Sequence, residues 1–144
     1  MIKFSGIVQS RSSVTPPGDA DVLAMNPARR DRILRATGWK DVFPGTLNLK
    51  VTADTVHRLL LCTPVIRESA EDIVYPPEFA HIPRLRVGYL YFRGRIRKHD
   101  DVLPVLIRRA CNPLPELLEA MSEFKLRDTL GLSDGESVLC EIDA

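Results

Sequence analysis

The sequence predicts one mainly β domain, a barrel or a sandwich rather than a helical bundle. With 144 residues and 44% hydrophobic content, the chain is the size of one domain and can bury a single core. Eleven prolines and eight glycines are scattered through it and divide it into short elements. Several of these elements alternate apolar and polar residues, as half-buried strands do. We therefore expect residues 1–144 to form a single domain.

The N-terminal part of the chain predicts a strand, a loop and a helix. Apolar residues recur from Ile2 to Gln9, which predicts a first strand with a bulge at Gly6. Prolines and small polar residues over 10–21 predict a loop. A helix is expected from Pro27 to Thr37, because proline suits a first helical position, Asn26 suits the N-cap and a glycine follows the last residue.

The predicted helix carries four arginines, and the sequence leaves their role open. Surface charges usually form a solvated face, and Asp31 is placed to pair with the arginine four residues on. The alternative is that one arginine reaches a phosphate, although the spacing does not select which one. The four are Arg29, Arg30, Arg32 and Arg35.

A sharp Pro-Gly turn precedes the second predicted strand. From Thr46 to Val51 polar and apolar residues alternate, so Thr46 and Asn48 share a polar face. Thr52 is placed to cap a short helix that follows this strand. Residues 66–83 are acidic and then rich in proline, which predicts a long connection.

The C-terminal half predicts a hairpin, an ambiguous segment and a last strand. Residues 85–96 and 102–107 are rich in β-forming residues on either side of a polar turn, which is typical of a hairpin. Residues 114–123 suit either a helix or a short buried strand. A helical turn that ends at Gly131 and an Asp-Gly turn lead to a strand from Val138 to Ile142.

Charge, cysteine content and missing motifs argue against several function classes. Twenty basic and nineteen acidic residues give no strong positive field, and no apolar run has the length of a signal peptide or a membrane span. We therefore expect a cytoplasmic protein without nucleic-acid or membrane partners. Three separated cysteines predict neither disulfides nor a zinc site. The phosphate-loop, dinucleotide-binding, zinc-protease and serine-hydrolase motifs are absent from the sequence.

Two segments carry a resemblance to a known family. Residues 43–51 read Phe-Pro-Gly-Thr-Leu-Asn-Leu-Lys-Val, and residues 126–138 contain Leu-Arg, Gly-Leu and Asp-Gly pairs in that order. In these motifs and their spacing the chain resembles the CTP-dependent riboflavin kinases of the archaeal type, which make FMN from riboflavin. The resemblance implies a small, closed six-stranded β-barrel of the cradle-loop type with short peripheral helices.

The resemblance also implies roles for single residues. Thr46 and Asn48 match the threonine and asparagine that hold Mg²⁺ in the family, and two hard oxygen donors on one strand face suit that ion. Glu119 matches a glutamate that contacts the flavin, and it is the candidate to orient the attacking hydroxyl. The second flavin contact of the family falls on Cys111 or Asn112.

The nucleotide contacts implied by the resemblance fall in two segments. One is the closing segment, residues 124–127, whose arginine is suited to bind phosphate through two hydrogen bonds. The other follows the first strand, where the family has a glycine-rich phosphate loop and this chain has bulkier residues with side-chain donors. The closing segment contributes Phe124, Lys125, Leu126 and Arg127, and the N-terminal loop contributes Ser10, Arg11, Ser12 and Ser13. Either Arg127 or Arg11 would balance the charge that develops on the phosphoryl group.

The leading hypothesis from the sequence is a phosphotransferase that converts riboflavin to FMN and CTP to CDP with Mg²⁺. One alternative is a non-catalytic flavin- or nucleotide-binding module of the same fold, since the phosphate loop diverges. Another is a regulatory domain that contacts nucleic acid through the arginine-bearing helix. The sequence leaves the identity of the nucleotide, the acceptor and the oligomeric state open.

Overall fold

The computed structural model describes residues 1–10, 23–74, 88–111 and 116–143, and it is mainly β. The strands are β1 (Ile2–Gln9), β2 (Leu47–Lys50), β3 (Ile66–Glu68), β4 (Tyr89–Lys98), β5 (Asp101–Ala110), β6 (Leu117–Met121) and β7 (Ser137–Ile142). The helices are α1 (Pro27–Thr37), α2 (Ala53–Leu59) and α3 (Leu126–Thr129), and a 3₁₀ turn spans Ala70–Asp72. None of the described helices is long and apolar enough to cross a membrane.

Six strands close into an antiparallel barrel. They follow the order β4-β5-β6-β2-β1-β7, and the pairing of β7 with β4 closes the ring. The short strand β3 joins the N-terminal part of β4, on the edge that β7 occupies farther along. The fold class is therefore confirmed: a small, closed six-stranded barrel with short peripheral helices. Closure leaves these six strands without a free edge.

Two apolar clusters hold the structure together. The first fills the barrel, and its fully buried members include Val8, Leu49 and Leu118. The second lies outside the barrel, where Ile33 of α1 packs with Tyr91 and Leu106. The residues next to Tyr91 and Leu106 along their strands belong to the inner cluster, so Tyr91 and Leu106 themselves point outward. Burial of this outer face fixes α1 against β4 and β5.

Several local predictions are confirmed. Helix α1 has the predicted bounds and ends at Gly38, whose φ of 77° is left-handed and whose N–H donates to the Leu34 carbonyl at 2.8 Å. Thr52 caps α2 by accepting from the Thr55 N–H at 3.2 Å. The ambiguous segment 114–123 contains strand β6, the outcome that the family resemblance implied.

The expected bulge at Gly6 is wrong. The β1–β7 ladder runs without interruption from Ile2 to Ile7, with Gly6 paired to Val138. The glycine instead serves close packing, because a Cβ there would lie 3.1 Å from the Leu49 Cβ inside the barrel.

Asn26 occupies the predicted N-cap position of α1, but its side chain makes no capping bond and instead exchanges two 2.7 Å hydrogen bonds with the backbone of Val74. The expectation of a long connection over residues 66–83 is wrong in its first part. Residues 66–83 are not only a connection, since Ile66–Glu68 form β3 against β4. Residues 75–83 lie outside the described part of the chain.

The predicted solvated face of α1 is present only in part, since Arg35 is exposed and Arg29 is buried. Arg29 is buried and Arg30 pairs with Asp41 at 2.7 Å, while in the described residues no ion pair joins Asp31 to Arg35. The i, i+4 spacing predicted that pair, but the described ion pairs of this helix join Arg29 and Arg32 to Glu68 and Arg30 to Asp41. With Arg29 buried, this helix face offers fewer cations to a nucleic acid than the sequence suggested.

Gly94 permits the closure of the barrel, and replacing it with alanine is expected to destabilise the fold. A Cβ at this position would overlap the Glu141 carbonyl oxygen of β7, the strand that completes the ring. We expect Gly94→Ala to lower the free energy of unfolding by about 1–3 kcal/mol, measured by urea denaturation. Gly6→Ala, whose Cβ meets only a side chain, is the control and should cost less. Equal midpoints for wild type and Gly94→Ala would contradict this account of closure.

Candidate functional site

A cavity of about 140 Å³ lies at one end of the barrel, beside the start of β2. Its lining comes from residues 43, 45–47, 120 and 124–127. Pockets that enclose a drug-sized ligand hold about 300–1,000 Å³, so a nucleotide here would be enclosed only in part. Residues 45–47 of the Gly-Thr-Leu-Asn segment and residues 124–127 of the closing segment therefore lie at one cavity.

The chain folds this way because apolar side chains anchor both walls. Leu47 of β2 pairs with Ala120 of β6, and both point into the barrel core. Leu126 of α3 is buried in the same core. Behind it, the Leu132 N–H donates to the Arg127 carbonyl at 2.8 Å and closes the helical turn. The polar residues beside these anchors are thereby left at the cavity edge.

A row of polar residues crosses the outer face of the barrel next to the cavity. Strand register places Asn48 opposite Gln9 on one side and Glu119 on the other, and Glu119 lies opposite Arg108. Thr46 precedes this row, and its hydroxyl donates to Glu119 Oε2 at 3.1 Å. The predicted metal residues Thr46 and Asn48 are thus neighbours of Glu119, one of the predicted flavin contacts.

Arg108 is the residue of this site that sequence reasoning missed. Its Nε and Nη2 donate to Glu119 Oε2 at 3.1 and 2.6 Å, and its guanidinium carbon lies 4.6 Å from the centre of the Tyr89 ring. A signal was available in the sequence, since an arginine that directly follows the apolar run 105–107 in a strand calls for a partner.

The donor set at Thr46 and Asn48 fits a hard cation that is bound together with phosphates. Because the Thr46 hydroxyl gives its hydrogen to Glu119, its lone pairs point away from that carboxylate. Asn48 is half-buried and adds an amide oxygen on the same strand face. In the described residues no group of three His, Cys, Asp or Glu side chains could hold a metal, so phosphate and water oxygens would have to complete the shell.

Asp134 ties the second part of the predicted nucleotide site together. It accepts hydrogen bonds from Ser10, at the end of β1, and from Arg127 at 2.9 Å. These bonds, first that of Ser10 and then that of Arg127, hold the pKa of Asp134 below its usual range. The predicted loop contacts Arg11, Ser12 and Ser13 lie outside the described residues.

The predicted flavin contacts lie along β5 and β6. Cys111 is exposed directly after β5, three residues beyond Arg108 and therefore roughly 10 Å along the strand from the Glu119 pair. Asn112, the alternative contact, lies outside the described residues. Cys62, Cys111 and Cys140 are free thiols, and burial raises the pKa of Cys140 to about 12.

A closed β-barrel with an oxygen-rich strand face and two basic side chains at one cavity is suited to hold a phosphorylated small molecule. No protein-family model matches the chain. Over 127 residues, which are 87% of this chain and 67% of the other protein, it is 28% identical to the riboflavin kinase of Saccharolobus solfataricus. This similarity supports a riboflavin kinase family, and the barrel is consistent with a riboflavin-kinase-like fold.

Proposed function

We propose that the protein is a phosphotransferase that converts riboflavin to FMN, with CTP as phosphate donor and Mg²⁺ as metal ion. One observation carries the proposal: Thr46 and residues 124–127, about 80 positions apart in sequence, line the same cavity, with Asn48 and Glu119 beside it. The name of the Saccharolobus solfataricus relative, riboflavin kinase, supports the same reaction.

The closing segment is proposed to bind the nucleotide. Phe124 offers a half-exposed ring on which a base can stack, since every base presents a π face. Lys125 pairs with Asp128 at 3.6 Å and Arg127 with Asp134 at 2.9 Å, and all four side chains are partly exposed. Such exposed pairs are weak, so a triphosphate can compete for both cations.

Thr46 and Asn48 are proposed to hold Mg²⁺ by the Thr46 hydroxyl oxygen and the Asn48 carboxamide oxygen. The ion, when bound, would supply charge neutralisation for the transferring phosphoryl group. Glu119 keeps the Thr46 hydroxyl in one rotamer through their 3.1 Å hydrogen bond. The two donors are thereby held in place before a ligand arrives.

Glu119 is proposed to orient the hydroxyl that attacks the phosphoryl group. Its carboxylate is partly exposed and lies between the metal residues and the strand that leads to Cys111. Riboflavin would therefore lie across the outer polar row, with Glu119 at its reacting end and Cys111 along its length. In phosphoryl transfer most of the acceleration comes from such positioning rather than from covalent chemistry.

The donor specificity is tested by incubating the purified protein with riboflavin, Mg²⁺ and CTP, ATP, GTP or UTP in separate reactions. We expect FMN with CTP only, and nucleoside diphosphate in equal amount. FMN formed with ATP but not with CTP would contradict CTP as the phosphate donor, while the proposed phosphorylation of riboflavin would still hold. Fluorescence titration with riboflavin in the same buffer separates a failure to bind from a failure to transfer.

A further inference from the structure

A buried arginine controls the carboxylate that the proposed function uses. The Arg108 side chain is 4% exposed and makes a two-nitrogen contact with Glu119 Oε2 at 2.6 and 3.1 Å. A guanidinium buried to this extent needs its carboxylate partner, because an isolated buried charge is costly. The two residues are directly opposite in the β5–β6 ladder, so the backbone register itself sets their approach.

The guanidinium of Arg108 also contacts the Tyr89 ring, which in turn contacts Arg29 of α1. It stacks 4.6 Å from the centre of the Tyr89 ring, and Arg29 of α1 lies 5.6 Å from the centre of the same ring. Arg29 is itself paired with Glu68 at 3.0 Å. The stacking and the ion pairs restrict the rotamer of Arg108, and this fixes the plane in which it presents its two donors.

The hydrogen bonds leave one oxygen of Glu119 available. Thr46 Oγ1, Arg108 Nε and Arg108 Nη2 all donate to Oε2, and no described residue donates to Oε1. An ionised carboxylate has acceptor capacity on both oxygens. Because the Glu119 side chain is 22% exposed, a ligand hydroxyl can approach it.

We infer that Arg108 is a positioning residue of the phosphotransferase, which holds the Glu119 carboxylate in one orientation so that Oε1 accepts a hydrogen bond from the hydroxyl of the acceptor. The inference rests on the proposed function and adds to it a residue that acts through Glu119. Lysine would keep the charge at position 108 but would lose the planar pair of donors and the stacking on Tyr89.

The test compares Arg108→Lys, Glu119→Gln and the double variant. We expect Arg108→Lys to lower kcat by about 10- to 100-fold, as is typical when the residue behind a functional group is changed. The KM for CTP should stay unchanged, because the closing segment is untouched. In the Glu119→Gln background the Arg108→Lys change should cause no further loss, since its effect passes through Glu119.

Arg109→Lys is the matched control. Arg109 follows Arg108 on β5 and is buried as well, but it points to the other face of the strand and bonds the Ala110 carbonyl at 3.2 Å. Both lysine variants should lose stability on thermal unfolding, but only Arg108→Lys should lose kcat. If Arg108→Lys does not fold, Arg108→Gln, a neutral donor, takes its place.

A wild-type kcat in the Arg108→Lys variant would overturn the inference. So would a loss of kcat from Arg108→Lys that is as large in the Glu119→Gln background as in the wild-type background. If the wild type makes no FMN, the proposed function fails, and riboflavin binding measured by fluorescence quenching then decides the role of Arg108. Weaker binding in Arg108→Lys and Glu119→Gln, without further weakening in the double variant, would support the coupling. Unchanged binding in Arg108→Lys would overturn it.

Discussion

Replacing Asn48 with alanine is expected to abolish FMN formation and to leave the barrel folded. The residue sits on the outer face of β2, between Gln9 and Glu119, and no described residue hydrogen-bonds its side chain. Its carboxamide therefore contributes little to the core, whose β2 members are Leu47 and Leu49. The loss in kcat should exceed the roughly 10- to 100-fold that follows from changing a residue behind a metal ligand.

Two further variants make the Asn48 prediction specific. Asn48→Asp keeps an oxygen donor and should retain measurable turnover, with a changed dependence of the rate on Mg²⁺ concentration. Lys50→Ala, an exposed position two residues farther on the same face of β2, should behave as wild type. Circular dichroism checks that all three variants are folded. A folded Asn48→Ala variant with the wild-type rate would refute the metal assignment.

Replacing Glu68 with alanine is expected to cost about 3–5 kcal/mol of folding free energy, because it leaves the buried Arg29 without its carboxylate. The Glu68 side chain is fully buried and accepts from Arg29 at 3.0 Å, from Arg32 at 3.1 Å and from the Tyr91 hydroxyl at 3.1 Å. These bonds join α1 to β3 and β4. Urea denaturation followed by circular dichroism measures the loss.

Asp41→Ala is the control for the Glu68 prediction. Asp41 also pairs with an arginine of α1, at 2.7 Å, but both side chains are exposed and water replaces the partner. Its urea midpoint should match that of wild type. A Glu68→Ala variant that unfolds at the wild-type urea concentration would mean that the buried cluster does not hold α1 to the barrel.

Elements with strong local signals could be predicted from the sequence. The turn residues and alternation around His99 and Asp100 gave the β4–β5 hairpin, and Gly38 gave the end of α1. Strand β3 gave no such signal, because it has only three residues and one of its two buried residues, Glu68, is charged. Its strand conformation depends on pairing with β4, which lies about 20 residues on in sequence.

The ion pairs of the candidate site could not be predicted from spacing alone. Arg29 pairs with Glu68, which is 39 residues away in sequence, and Arg108 pairs with Glu119 on the adjacent strand. Both pairs therefore depend on how the strands of the barrel are aligned. Local rules instead suggested Asp31 with Arg35, which the described structure does not pair. The resemblance selected residues 46, 48, 119 and 124–127. The apolar run before Arg108 indicated that this arginine needs a partner, but only the structure identifies Glu119 as that partner.

The central claim is that this barrel transfers a phosphoryl group to riboflavin. The most direct measurement is to incubate the purified protein with riboflavin, CTP and Mg²⁺, and to quantify FMN and CDP by chromatography over time. The account predicts that both products form in equal amounts and that Asn48→Ala forms neither. Absence of FMN with CTP, ATP, GTP and UTP alike, in a preparation that binds riboflavin, would contradict it.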